Sequence, residues 1–298
     1  MTNTVLVTDV KTSVKRKKEK NYVTTLKRLL KNKLAVIGII IILCQIGMAV
    51  FAPLIATHDP IKQNLVASEL PMFSEGHWLG TDNYGRDVWS RIVHGARISL
   101  LVGFTAVSLG LIGGIVLGLL GGYYKKLDGI IMRIVDLLFS FPGILLAMLI
   151  IAILGTSLIN VAIAISIWSI PSCARIVRGS VLSIKQKEYI MALKSLGASD
   201  LRIMIRHILP NATAPIIVFA TMRMGTAILS TASLSYLGLG AQPPSPEWGA
   251  MISQGQNFMW TSPHLTIIPG IAIMLTVFAF NVVGDGLRDA LDPNMDIH

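Results

Sequence analysis

The sequence predicts an all-α membrane protein with six transmembrane helices, a long first external loop and a helical insert on the cytoplasmic side. Three observations predict it. Hydrophobic residues make up 53% of the 298 and the mean hydropathy is +0.65. Charged residues are only 14%, where a soluble domain carries about 25%. The apolar residues also fall into blocks, each near the ~20 residues that cross a bilayer.

The blocks are Leu34–Ala56, Ser99–Tyr123, Ile134–Leu154, Leu158–Ile176, Ala212–Tyr236 and Leu265–Val283. The run at Leu34 is too long for a signal core, and what precedes it is too charged, so it reads as a retained helix. Lysine and arginine set the orientation. Residues 1–33 hold ten of them, the stretch around Lys125, Lys126 and Arg133 three, the insert Arg175–Arg206 seven, and Arg288 follows the last block. The opposite side holds four: Lys62, Arg86, Arg91 and Arg97. Both termini and the insert are therefore expected in the cytoplasm, with loops 57–98 and 237–264 outside. The net charge of +10 is explained by this bias and points to no nucleic-acid partner. Cys44 and Cys173 lie within apolar blocks, which argues against a disulfide framework.

Before the first crossing, "YVTTLKRLLKNK" puts Val23, Leu26 and Leu30 on one helical face, with lysines opposite. The pattern predicts a short helix on the inner membrane surface, in contact with lipid. The first external loop is too long for a bare connection. Its stretch "HWLGTDNYGRDVWSRIVHGARISL" predicts a helix from about Gly85, capped by Asp82 or Asn83. Trp89, Ile92, Val93 and Ala96 would share a face, and Arg86, Asp87 and Arg91 would pair at helical spacing.

No phosphate-cradling GxxxxGK[S/T], no HExxH, no paired CxxC and no GxSxG occurs, so neither nucleotide nor catalysis is expected in this chain. The outer-loop groups His58, Asp59, His77, Asp82, Asp87 and His94 match no ligand spacing, and no metal site is expected. Intramembrane charge is costly and marks a cavity or a partner. Arg223 falls near the middle of the fifth block. It is a contact for an anionic group such as a carboxylate, a member of an internal ion pair, or a snorkelling side chain. Asp136 is expected to pair with Arg133, and Pro142 to kink the third helix or its first turn. Gly110, Gly114 and Gly118 are spaced for close helix packing, within the chain or against a similar subunit.

The insert "EYIMALKSLGASDLRIMIRHILP" is basic and broken by one glycine. Tyr189, Ala192 or Leu193, and Leu196 recur at helical spacing, so residues 188–196 read as a short amphipathic helix. Gly197 is placed to end it in a left-handed conformation. Ser199 is placed to cap a second helix carrying Leu201, Met204 or Ile205, and Ile208, and Pro210 marks the return to the membrane. Such an element docks into a groove on a soluble partner or lies on headgroups.

These residues resemble the cytoplasmic loop of ABC-importer permeases. "HWLGTDNYGRDVWSRIVHGARISL", "SLSYLGLGAQPPSPEWGAMI" and "NVVGDGLRDALDPNMD" resemble the second, C-type permease of the dipeptide/oligopeptide/nickel group, from about residue 25 to the C-terminus. The resemblance implies the type I importer permease fold, with a permease core over 97–288, a coupling loop over 177–210 and a cytoplasmic tail over 289–298. It implies a non-enzymatic subunit of a bacterial inner or plasma membrane. Its partners would be a second homologous permease, two ATPase subunits and an extracytoplasmic substrate-binding protein. ATP and Mg would bind the ATPases and not this chain. Contact with an ATPase would come from Glu188, Tyr189, Met191, Ala192, Leu193, Leu196, Gly197, Ala198 and Ser199, and the substrate pathway would include Arg223. Where the family carries an acid, this sequence has Met191, and Glu188 stands three residues earlier. Docking is therefore expected to lean on apolar burial.

Di- or oligopeptides are the expected cargo, with nickel or a metal–chelator complex as the alternative. A stand-alone secondary transporter would favour midplane acids, broken helices and an inverted repeat, and would leave the insert without a role. A membrane scaffold would explain docking but not Arg223.

Overall fold

The computed structural model describes residues 24–291, whose regular elements are helices joined by irregular loops, with no strand among them. Helix α1 covers residues 24–31. Val23, expected on its apolar face, and most of the tail expected over 289–298 lie outside the described residues. Asn32 separates α1 from α2 (Lys33–Val50) and caps α2 by accepting from the backbone N–H of Leu34 and Ala35 at 3.1 and 3.2 Å. The first crossing is shorter than the sequence predicts. It bends at Phe51, and a separate turn, α3 (Ala52–Ile55), follows with Pro53 in its first turn.

Helix α4 (Val88–Tyr123) has 36 residues and is about 54 Å long, well beyond the bilayer core. Its external end begins eleven residues before the expected crossing. The expected cap at Asp82 or Asn83 is corrected: Asp87 caps α4, its Oδ2 accepting from Ser90 N at 2.8 Å and Ser90 Oγ at 2.7 Å. Asp82 instead accepts from Arg86 Nε at 2.7 Å and lies 3.5 Å from Arg91 Nε. Both arginines are almost fully buried and also reach Gln254 Oε1, at 2.8 and 3.4 Å. The outer loop is thereby tied to α11 (Trp248–Gly255). Trp248, fully buried, donates to the Ile92 carbonyl at 3.1 Å.

The third block is not one helix. It breaks into α5 (Lys125–Phe139) and α6 (Gly143–Leu154), which meet at 91°. Pro142 has no N–H and excludes helical backbone from Phe141, so the break falls where the proline requires. Asp136 pairs not with Arg133 but with Arg175 across the helix interface at 2.6 Å, and Asp128 binds Arg178 with two bonds of 2.6 Å. The remaining long helices are α7 (Leu158–Lys185), α10 (Thr213–Tyr236) and α12 (His264–Leu291). α7 and α12 run past the expected ends because their last turns pack on protein outside the bilayer core. Among the described residues five helices are individually long and apolar enough to cross a membrane, and the bent pair makes up to six.

The centre of the fold is the α4–α7 pair. A Cβ on Gly110, Gly114, Gly118 or Gly122 would meet Ser169 Oγ at 1.9 Å, Cys173 Cβ at 2.3 Å, Val177 Cβ at 2.6 Å or Val181 Cβ at 2.7 Å, respectively. The four-residue steps match on both helices, so the two run parallel with their backbones in close contact. The glycine spacing seen in the sequence serves this chain's own packing. α2 approaches α12 in the same way, where a Cβ on Gly38 would meet Ala279 O at 2.8 Å. Leu101, Phe104, Ile153 and Ile159 remain exposed on the outer faces, as lipid or another subunit permits.

Candidate functional site

The insert between α7 and α10 folds as one compact unit. Helix α8 (Glu188–Ser195) carries an acid in its first turn and Lys194 in its last, in accord with the helix dipole. Leu196 caps it. Gly197 takes φ +80, donating to the Lys194 carbonyl, and Ala198 donates to the Leu193 carbonyl, each at 3.0 Å. These are the two bonds of a Schellman stop. A Cβ at Gly197 would meet nothing within 4 Å, so glycine is required there by conformation and not by space. Ser199 occupies the cap position of α9 (Asp200–Ile203), but its hydroxyl makes no capping bond; its carbonyl accepts from Ile203 N at 3.0 Å. A wide π-helical turn over Met204–Ile208 and a 3₁₀ turn over Leu209–Asn211 complete the return, with Pro210 inside the second.

The stripe of Tyr189, Ala192 and Leu196 read from the sequence lies on the exposed face of α8, and a neighbouring stripe turns inward. Ile190, 3% exposed, is the residue α8 buries, and Leu193 packs beside it. Ile203, Met204 and Ile208 are buried with them against Val177 and Val181 of α7. Tyr189 and Leu196, two residues of the expected stripe and of the expected ATPase contact, point outward. Met191 is 55% and Leu196 84% exposed, and Leu201 and Ile205 are exposed alongside. Glu188, Ala192, Gly197 and Ser199 are exposed too, and Ala198 is half-buried. The insert thus presents an exposed apolar knob while a second apolar face fixes it to the bundle.

Three contacts missed by sequence reasoning tie it further. Tyr123, the last residue of α4, donates to Asp200 Oδ1 at 2.6 Å. Lys185, the last residue of α7, donates its ammonium to the Tyr123 carbonyl and lies 5.0 Å from the Tyr123 ring centroid. Asn211 Nδ2 reaches Tyr189 Oη at 3.4 Å. The available signal was a tyrosine ending a long apolar block and an acid just past the glycine.

Arg223 lies away from the insert, on α10. Its guanidinium carbon is 5.4 Å from the Trp168 ring centroid and 5.7 Å from that of Phe219. Among the described residues no carboxylate pairs with it. At the opposite end of α4 from the insert the fold gathers His58, His77 and Asp87, with ligand-capable atoms within 4.8 Å of one another. The imidazoles stack at 4.6 Å, and His77 Nδ1 lies 2.9 Å from Asp87 Oδ1. Burial pushes the Asp87 carboxyl up, but hydrogen bonds from Ser90, His77 and Thr57 together outweigh it and hold it below the usual range. The sequence spacing did not reveal this cluster, because thirty residues of irregular loop separate its ends. Its carboxylate already serves as the α4 cap.

A parallel, closely packed pair of helices, a broken helix beside it and a helix–glycine–helix at one end of the bundle are the architecture of a type I ABC-importer permease, a multi-pass membrane subunit. Residues 110–297 match the family described as binding-protein-dependent transport system inner membrane component, and this chain belongs to that family. Residues 23–71 match the N-terminal transmembrane domain of oligopeptide transport permease C. The dipeptide transport system permease protein DppC of Alkalihalophilus pseudofirmus is 52% identical over 270 residues, covering 90% of this chain and 88% of the relative. The glutathione transport system permease protein GsiD of Pectobacterium atrosepticum is 49% identical over 274 residues, covering 90% of each. A solved chain of the MetNI methionine ABC transporter superposes with a TM-score of 0.57 at 21% identity, covering 68% of this chain and 97% of that one. The family implies work alongside other permease, ATPase and substrate-binding subunits.

Proposed function

We propose that this chain is the C-type permease of an ATP-driven importer of di- or oligopeptides. It forms half of the translocation path, and ATP hydrolysis by partner subunits enters it through α8. The observation that carries this reading is the outward apolar knob of Tyr189, Met191, Leu196, Leu201 and Ile205 on a loop rigidly tied to α4 and α7. The dipeptide and glutathione permeases among its relatives place peptides ahead of nickel as cargo.

The mechanism follows from the contacts. Two ATPase subunits, binding ATP and Mg, close on one another and carry α8 of this chain and its counterpart on a second permease. Because α8 is packed on the end of α7 and tied through Asp200 to the end of α4, its displacement moves the central helix pair as a unit. Cargo delivered by an external binding protein then meets an outward-open path, and hydrolysis resets it. Met191 and Leu196 leave water for an ATPase cleft, and Glu188 stands one turn before Met191. The lysine and arginine bias supports a cytoplasmic location for both termini and for α8.

Purification of the tagged chain from its native membrane tests the reading. The expected companions are a second permease and an ATPase pair, with peptide uptake that depends on ATP. Recovery without an ATPase, together with uptake driven by an ion gradient alone, would overturn it in favour of a secondary transporter.

A further inference from the structure

Arg223 is the eleventh residue of α10, so it stands about 15 Å along the helix from its cytoplasmic start. That depth defeats simple snorkelling, and the side chain is held between Trp168 and Phe219 instead. Thr226 and Ser230 follow Arg223 at helical spacing, and with Ser169 and Trp168 of α7 they line one small crevice. The larger grooves on the membrane faces of α10 carry a different lining. One is bounded by Leu229, Ile273, Met274 and Phe278, the other by Leu101, Phe104, Leu111 and Met224. Lipid or a second helix suits those two. A cation with hydroxyls beside it, an indole at its back and no acid among the described residues suits an anion that comes and goes. Trp168 is itself tightly seated, since a Cβ on Gly143 at the start of α6 would meet its ring at 1.7 Å. The guanidinium is therefore presented by a rigid wall where the third crossing breaks.

We propose that Arg223 is an anion station in the translocation path. It takes the carboxylate of the passing cargo, in the first place the C-terminal carboxylate of a short peptide, while Trp168 holds the guanidinium in position. This rests on the reading of the chain as a peptide permease. A guanidinium offers a fork of donors that matches a carboxylate, and the low-polarity surroundings strengthen the pair. Release follows when the helices move and the cavity wets.

The test uses the complete importer, with both permeases, the ATPases and the binding protein, reconstituted in vesicles. Peptide moved per ATP hydrolysed is compared for wild type, Arg223→Gln and Arg223→Lys. Assembly is checked by co-purification, and a dipeptide amide serves as uncharged cargo. Arg223→Gln is expected to keep binding-protein-stimulated ATP hydrolysis while moving about tenfold less free-acid dipeptide per ATP. Arg223→Lys is expected to recover much of the loss, and the amide to be moved alike by wild type and Arg223→Gln. Wild-type peptide per ATP in Arg223→Gln overturns the carboxylate station and leaves the peptide reading standing, as does a parallel loss of hydrolysis and transport that Arg223→Lys shares. Wild type that moves no peptide overturns both.

Discussion

Two residues outside the transport path show how local chemistry is set by surroundings. Gly197 holds a left-handed backbone in open space, so any side chain there adds strain without a clash. Gly197→Ala should weaken the stop of α8 by about 1–2 kcal/mol. The expected outcome is faster protease cutting between α8 and α9 and less peptide moved per ATP, with the bundle's melting temperature unchanged. Glu247 is different. It caps α11 from full burial, its Oε2 accepting from Ala250 N at 2.9 Å and its Oε1 from Ser99 Oγ at 3.2 Å. Burial pushes its carboxyl above the ordinary value of 4.5, and the hydrogen bonds offset only part of that. The native state thus holds this proton more tightly than the unfolded chain. Stability should fall as pH rises from 4.5 toward the raised value. Glu247→Gln should flatten that slope. Melting curves of the purified importer from pH 4.5 to neutrality check it, and an unchanged slope in the variant would exclude Glu247 as the source.

Among the elements, the α4–α7 pair is the one whose loss the fold should tolerate least. Gly114 meets Cys173 at distances no side chain can share. Gly114→Leu should cost about 1–3 kcal/mol or prevent assembly. Gly47→Ala on α2 meets nothing within 4 Å and should be neutral or slightly stabilising, which makes it the matched control. Thermal melting in detergent separates the two. The sequence showed the glycine spacing but not its partner, because a small-residue stripe reads the same whether the facing helix belongs to this chain or another. The break at Pro142 was half legible. Proline announces a kink, but the 91° bend also needed Gly143 to be pinned against Trp168.

For the whole molecule, the question is how force from partner subunits reaches helices buried in lipid. The loop is clamped by apolar packing and by the Tyr123–Asp200 bond, so α8, α4 and α7 should move together. With Met191 in place of an acid, the docking contact we propose is mainly apolar. The ATPase should therefore stay bound at about 1 M salt, where charge interactions are screened within about 3 Å. Leu196→Asp should reduce ATPase co-purification at least about tenfold. Dissociation of the wild-type complex by salt alone would argue that charges such as Glu188 dominate instead.

Long apolar blocks, the lysine and arginine bias and the glycine-broken insert were readable from the sequence, because each depends on local composition or on a single backbone requirement. They determined the class of protein and the approximate crossings, and they marked the insert where we propose that a partner docks. Tertiary structure alone decided which face of α8 turns inward. Eight residues at helical spacing offer two neighbouring stripes, and only packing against α7 selects Ile190 over Tyr189. It also decided that Asp87 and not Asp82 caps α4, and that Arg223 stands beside an indole and not an acid. Those choices depend on residues far apart in the chain, which local pattern cannot bring together.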